Sequence, residues 1–159
     1  HLLDEIIKGA SGIPVVFPVH PRTRKVMQGI DLADGSVLHM ADPMGYLEFN
    51  YLVERALVVI TDSGGITEET TVMSVPCMTL RNSTERPETV TMGTNELLGT
   101  NPDAIAPAMQ TLLSGQWKKG NIPPLWDGHT AVRIIDIICR LFHRPLDPQT
   151  SDLKTIRKT

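Results

Sequence analysis

The chain has 159 residues, of which 41% are hydrophobic and 21% charged, a composition that suits one globular domain and argues against disorder. Its 15 basic and 18 acidic side chains give a net charge of −3, so no basic surplus is available to neutralise a nucleic-acid backbone. No apolar run approaches the roughly 20 residues of a membrane helix, and no signal peptide is visible, so we expect a cytoplasmic protein with neither a nucleic-acid nor a membrane partner.

Short apolar runs alternate with helical patterns along the chain. Strands are predicted at residues 13–19, 37–40, 57–61, 76–80 and 96–98. Helices are predicted at residues 2–9 (ended by Gly9 and Gly12), at 26–30, after an Asp42-Pro43 cap, from 63 to about 73, from Asn101-Pro102 onward, and over 131–142 after the turn Asp127-Gly128. Because the strands are apolar throughout, the pattern predicts an α/β fold, a Rossmann-like parallel sheet with helices on both faces.

The ends of the chain and its cysteines add three expectations. The chain begins with His1, and the residues after it already follow a helical pattern, so we expect a truncated or processed start. Residues 145–159 are polar and predict a mobile tail. Cys77 and Cys139 both have apolar neighbours, which predicts buried free thiols in a reducing cytosol.

The turn after the third predicted strand is the first candidate for ligand binding, because ligands of parallel sheets bind beyond the carboxyl ends of the strands. It reads Asp62-Ser63-Gly64-Gly65 and leads into a helix. Two glycines let an anion approach the backbone N–H groups of the helix start, and Ser63 can add a hydroxyl donor. The alternative is a plain strand-to-helix turn with Ser63 as the N-cap. The turn matches neither a Walker loop nor the glycine fingerprint of dinucleotide-binding folds.

Two acidic residues, Glu68 and Glu69, follow within the same helix. Both can complement the helix dipole, and one of them can accept both hydroxyls of a ribose. Adjacent helical residues diverge by about 100°, so both cannot face one ligand.

Three further residues lie where they can reach a ligand, and each has a structural alternative. Arg86 follows the fourth strand and can contact a diphosphate or a sugar, or form a surface ion pair with Glu85 or Glu88. His20 ends the first strand, where it can donate to a phosphate, act as an acid or base, or have a structural role. Phe49 lies on the apolar face of its helix and packs in the core or offers its ring to a nucleobase.

These residues belong to stretches that together resemble one family. The stretches are VVFPVHPRT (15–23), YLEF (46–49), TDSGGITEE (61–69), RNSTERPETV (81–90) and GTN (93–95). In order and spacing they are similar to the non-hydrolysing UDP-N-acetylglucosamine 2-epimerases over about residues 2–142. The combination of Ser-Gly-Gly with Thr-Glu-Arg-Pro-Glu makes the resemblance specific.

The resemblance implies a domain assignment and a set of site residues. The family has two Rossmann-like domains in the glycosyltransferase-B arrangement, with the UDP-sugar in the cleft. Residues 1–144 resemble its C-terminal, UDP-binding domain, followed by the tail at 145–159. The implied roles are uracil contact for Phe49, diphosphate binding for Ser63, Gly64 and Gly65 with Arg86 nearby, ribose binding for Glu69, and for His20 a second nucleotide-sugar site between the domains, regulatory in some bacterial members.

The family reaction converts UDP-N-acetylglucosamine to UDP-N-acetylmannosamine by elimination and re-addition of UDP, without a metal, nicotinamide or other cofactor. The resemblance further implies a homodimeric, cytoplasmic parent enzyme of cell-surface polysaccharide biosynthesis. The family's N-terminal domain supplies the acidic residues for proton transfer, and neither that domain nor its His-Arg-x-Glu-Asn motif occurs in the chain. We therefore expect no catalytic residue here, and an isolated chain that is inactive.

Two other functions remain open at this point. Another enzyme of the glycosyltransferase-B type would bind the same UDP group but would need an acceptor substrate. A stand-alone module would bind or sense a nucleotide sugar without catalysis.

Overall fold

The computed structural model describes residues 1–27 and 37–142, which form two compact units, residues 1–122 and the residues from 123 onward. The end of the helix predicted at 26–30 and the tail predicted at 145–159 lie outside the described residues. Within the described ranges, no helix has the length and apolar character that crossing a membrane requires.

Helices and strands alternate in the first unit, as the apolar pattern predicts. The helices are α1 (Leu2–Ala10), α2 (Pro21–Met27), α3 (Tyr46–Arg55), α4 (Gly64–Met73), α5 (Pro87–Thr91) and α6 (Ile105–Leu113), the last preceded by a 3-10 turn, Pro102–Ala104. The strands are β1 (Val15–Pro18), β2 (Leu38–Ala41), β3 (Val59–Thr61), β4 (Cys77–Thr79) and β5 (Asn95–Leu97).

All described strand pairs are parallel, which confirms the predicted class of sheet. β1 pairs with β2, and β4 lies between β3 and β5. No ladder joins these two groups among the described residues, so the single expected sheet is present as two. As the strand with neighbours on both sides, β4 is buried on both faces, and Cys77, Met78 and Thr79 are at most 1% exposed.

The core lies between the three-stranded sheet and the helix pair α1 and α6. Met78 packs there with Ile105, Met109 and Leu112 of α6. Gly9 brings α1 close to α6, since a Cβ at this position would stand 3.1 Å from Met109 Cγ. Gly9 is therefore a packing residue inside α1, and the prediction that it ends the helix is wrong; the helix ends at Ala10 and Ser11 adopts the left-handed cap.

Two predicted helix starts differ from the structure. The helix predicted at 26–30 already begins at Pro21, whose fixed φ and missing N–H suit the first helical position. The cap predicted at Asp42-Pro43 is instead formed by Gly45, whose N–H donates to the Glu48 carboxylate at 3.0 Å.

The second unit contains α7 (Thr130–Leu141). The predicted turn does open it, since the His129 N–H donates to Asp127 Oδ1 at 3.0 Å. Arg133 also donates to the Asp127 carboxylate, and its other terminal nitrogen donates to the Leu125 carbonyl at 3.2 Å. The Arg133 hydrogen bond, followed by that of the His129 backbone, lowers the pKa of Asp127 to about 2.

Candidate functional site

The chain segments that follow β3 and β4 lie at one edge of the sheet. The two strands are parallel, with Thr61 opposite Thr79, so the segments that follow them leave the sheet at the same end. The turn that contains Ser63 follows β3, and the loop that contains Arg86 follows β4. From the parallel pattern we expect the turns after Val19, Thr61 and Leu80 at one edge of a single sheet. Ser63 and Arg86 do share an edge, whereas the turn after Val19 follows β1, which belongs to the other sheet.

The turn at Ser63 leaves the start of α4 open. Ser63 is the N-cap residue by its backbone position, but its side chain makes no capping hydrogen bond. Its N–H donates to Thr61 Oγ1 at 3.0 Å, and Thr67 Oγ1 donates to the Gly64 carbonyl at 2.6 Å. The first N–H groups of a helix have no intrahelical partner. Since the Ser63 hydroxyl does not supply one, it and these N–H groups are available to an anion.

The two glycines of the turn have different surroundings. A Cβ built on Gly65 would meet nothing within 4 Å, so this residue faces open space. A Cβ on Gly64 would stand 3.5 Å from Glu85 Oε2 and 3.9 Å from Arg81 Nη1. The open side of the backbone is therefore at Gly65, and the loop after β4 lies against Gly64.

Two ion pairs surround the turn. Arg86 Nε donates to Glu68 Oε1 of α4 at 2.6 Å. The ion pair of Arg86 is therefore made with Glu68, and not with Glu85 or Glu88, the two partners considered from the sequence. Glu85 is bound by the two terminal nitrogens of Arg81 at 3.0 and 2.8 Å. This contact raises the pKa of Arg81 and lowers that of Glu85. The sequence did not indicate Arg81 as a site residue, because residues 81–85 form a loop, where spacing along the chain does not predict which side chains meet.

The two glutamates of α4 differ in their partners. Glu68 is engaged by Arg86, whereas Glu69, partly exposed, makes no hydrogen bond or ion pair with any residue of the described ranges. A free carboxylate one helical turn beyond Gly65 is available to a pair of hydroxyls.

A buried polar network supports the backbone at Arg86. Thr79 Oγ1 donates to Asn95 Oδ1 at 2.6 Å, and Asn95 Nδ2 donates to Thr89 Oγ1 at 3.1 Å. Thr89 Oγ1 in turn donates to the Arg86 carbonyl at 2.8 Å. Thr79, Asn95 and Thr89 are at most 1% exposed, so these bonds are made without competition from water.

Phe49 and His20 are not joined to this edge by any hydrogen bond or ion pair of the described residues. Phe49 is half-buried on α3, which packs against α4. His20 is exposed at the start of α2, where its Nδ1 accepts the Arg22 N–H at 3.3 Å. This contact is local, between a loop residue and the first turn of the helix that follows it.

A groove of about 670 Å³ lies beside α3, and none of the predicted site residues lines it. Its lining is Asp42, Pro43, Met44, Leu47, Glu48, Tyr51 and Leu52. The turn at Ser63 offers more suitable chemistry for an anion, because its donors are N–H groups, a hydroxyl and a guanidinium. Within residues 1–27 and 37–142, no three His, Cys, Asp or Glu side chains are grouped to hold a metal ion.

The chain is similar in sequence to known nucleotide-sugar epimerases. A family model described as UDP-N-acetylglucosamine 2-epimerase matches residues 1–139. A UDP-N-acetylglucosamine 2-epimerase of Methanocaldococcus jannaschii is 38% identical over 130 residues, covering 78% of this chain and 34% of the relative. A UDP-2,3-diacetamido-2,3-dideoxy-D-glucuronate 2-epimerase of Pseudomonas aeruginosa is also 38% identical, over 128 residues, covering 80% of this chain and 35% of the relative.

A solved structure shares the fold. The crystal structure of the Methanocaldococcus jannaschii enzyme in complex with UDP-GlcNAc and UDP superposes with a TM-score of 0.70 at 35% identity, covering 87% of this chain and 41% of that one. The chain thus spans 34–41% of the length of these relatives. With a family model that matches nearly the whole described chain and relatives of this similarity, the chain belongs to the UDP-N-acetylglucosamine 2-epimerase family.

Proposed function

We propose that this chain is the UDP-binding part of a UDP-N-acetylglucosamine 2-epimerase, and that the diphosphate binds at the start of α4. The observation that carries the proposal is the open helix start at Ser63, Gly64 and Gly65: the Ser63 side chain makes no capping hydrogen bond, and a Cβ at Gly65 would meet nothing within 4 Å. Anions bind at such helix starts because the N–H groups and the helix dipole both favour negative charge.

The other parts of UDP are assigned to neighbouring residues. Glu69, which has no partner among the described residues, accepts the ribose hydroxyls, and Arg86 contributes a positive charge to the diphosphate. Phe49 on α3 offers its ring to the uracil. His20, exposed at the start of α2, is assigned to a second nucleotide-sugar site.

The proposed reaction interconverts UDP-N-acetylglucosamine and UDP-N-acetylmannosamine by eliminating UDP to an unsaturated sugar and adding it back. Donors that stabilise the departing diphosphate lower the barrier to elimination. Removal of the proton at carbon 2 requires a general base, and we assign that base to the portion of the relatives' length that this chain does not span. We further propose a cytoplasmic, homodimeric parent enzyme that serves polysaccharide biosynthesis.

The sugar has one specific alternative. The Pseudomonas aeruginosa relative named for a diacetamido glucuronate is as similar, at 38% identity, as the relative named for UDP-N-acetylglucosamine. Since the diphosphate donors and the ribose acceptor, Glu69, contact only the UDP group, the residues of this edge do not distinguish the two sugars. Both nucleotide sugars are therefore needed as substrates in the assay.

Two measurements test the proposal. A titration of the chain monitored by NMR should show that UDP binds more tightly than uridine. The diphosphate makes charged hydrogen bonds worth about 1.5–3 kcal/mol each. Equal affinities would remove the diphosphate from the site. A parent protein that includes the upstream portion should form UDP-N-acetylmannosamine from UDP-N-acetylglucosamine; release of free sugar plus UDP indicates another enzyme class, and no product indicates a binding module.

The isolated chain should bind UDP but form no epimer above background. General acid–base help is worth about 10²–10⁴-fold in rate, and we place no such group among the residues described here. Product analysis with the chain alone, at high protein concentration, checks this. Robust turnover by the 159-residue chain would contradict the assignment of the base to another part of the protein.

A further inference from the structure

Arg86 is held at two of its three guanidinium nitrogens. Nε donates to Glu68 Oε1 at 2.6 Å, and Nη1 donates to the Glu85 carbonyl at 3.3 Å. Nη2 donates to no residue in the described parts of the chain. The side chain is thereby oriented while one terminal nitrogen remains available to a ligand oxygen.

The backbone of Arg86 is fixed separately from its side chain. Its carbonyl accepts both the Thr89 hydroxyl at 2.8 Å and the Thr89 N–H at 3.0 Å, and Thr89 is anchored through the buried amide of Asn95. Its N–H donates to Thr84 Oγ1 at 3.0 Å. With the backbone anchored to β5 and α5, the remaining freedom of Arg86 is that of its long side chain. Among the described residues, the carboxylate that hydrogen-bonds its guanidinium is that of Glu68.

We propose that Glu68 is a positioning residue, which holds the Arg86 guanidinium beside the start of α4 so that its free nitrogen meets the diphosphate. This inference rests on the proposed function, since it assigns Glu68 a task at the same site. Glu68 lies on α4, four residues after Gly64, so it ties the loop after β4 directly to the helix whose first turn binds the anion.

The opposite effect of Glu68 is also physically reasonable and must be separated from positioning. A carboxylate next to Arg86 reduces the positive potential available to a diphosphate, and its removal then strengthens binding. Positioning predicts weaker binding because an unrestrained arginine loses side-chain entropy when the ligand immobilises it. The sign of the change in affinity therefore distinguishes the two.

The ion pair between Arg86 and Glu68 is too exposed to contribute much to the stability of the fold. Its side chains are 47% and 38% exposed, and pairs of this kind add little to stability. Glu68→Gln should accordingly leave the thermal unfolding midpoint nearly unchanged, so that its effect on UDP is not a consequence of unfolding. Glu88→Gln is the matched control. It removes the same charge from the neighbouring α5 and leaves the ion pair between Arg86 and Glu68 intact.

The test is an NMR titration of the full chain with UDP and with uridine in five proteins: the wild type, the Glu88→Gln control, Glu68→Gln, Arg86→Ala and the double variant Glu68→Gln/Arg86→Ala. We expect Glu68→Gln to weaken UDP binding about two- to fivefold more than the control does, with uridine binding unchanged. In the Arg86→Ala background the same substitution should have no further effect, and the Arg86 Nε–H resonance should shift in Glu68→Gln alone.

Each remaining outcome counts against the inference. Tighter UDP binding by Glu68→Gln would identify Glu68 as a competitor of the diphosphate. Equal losses in the presence and absence of Arg86 would show that Glu68 acts independently of it. If the wild type binds UDP without this coupling, only the positioning role is lost; if the wild type does not bind UDP at all, the proposed function is lost and this inference with it.

Discussion

Gly65 provides a substitution for which stability and binding should change in opposite directions. A Cβ at this position meets no atom within 4 Å, and the residue lies in the first turn of α4 with an ordinary helical backbone. Gly65→Ala should therefore fold without strain. Because alanine has fewer unfolded conformations to lose, we expect a gain in the free energy of unfolding of about 0.4–1 kcal/mol, which raises the midpoint by roughly 1–4 °C.

The same methyl group occupies the space that we assign to the diphosphate. If it displaces one charged oxygen from a backbone N–H, the loss is about 1.5–3 kcal/mol, or about 10- to 150-fold in the affinity for UDP. Uridine, which lacks the diphosphate, should bind the variant and the wild type equally. NMR titration with both ligands, together with a thermal melt, measures all three quantities.

Gly93→Ala serves as the control for the melt. Its Cβ would stand 2.5 Å from Thr71 Oγ1 and 2.6 Å from the Thr89 carbonyl, so this variant should lose about 1–3 kcal/mol of stability through overpacking. A Gly65→Ala protein that melts like the wild type and binds UDP with unchanged affinity would refute the placement of the diphosphate at this turn.

Other predictions concern the acidic and thiol side chains. Glu69→Gln should weaken UDP binding more than Glu68→Gln does, and only Glu69→Gln should also weaken uridine binding, because the ribose is present in both ligands; equal losses in a parallel titration would contradict the assignment. Ellman's reagent should modify the half-buried Cys139 before Cys77, since burial removes access to the Cys77 thiol and raises its pKa; simultaneous modification in the native state would contradict this. Asp127, with an ordinary pKa of 3.8 lowered to about 2 in the folded protein, should contribute stability above pH 3.8 that disappears as the pH falls through 2. Asp127→Asn should flatten acid unfolding between these values, and a carboxyl titration midpoint near 3.8 in the folded protein would refute the shift.

The local features of the site could be predicted from the sequence because they depend on neighbouring residues. A β-branched apolar run predicts β3, and Ser-Gly-Gly after it predicts the turn into α4. The parallel arrangement followed from strands without a polar face. Local patterns were less informative about boundaries: the starts of α2 and α3 were misplaced, since a helix begins where a cap or a proline satisfies the backbone, and several nearby residues qualified.

The alternation of helices and strands, the glycine turn proposed to bind the anion and, through the motifs, the family could all be predicted from the sequence. The pairing of side chains at the site became known from the three-dimensional structure. Arg86 has glutamates one residue before it and two after it in the chain, yet it pairs with Glu68, 18 residues away. Asn95, which the sequence offered only as part of the GTN stretch and without a role, anchors the Arg86 backbone through Thr89. The physical reason is the parallel register of β3, β4 and β5, which brings together residues from successive crossovers that no local pattern relates.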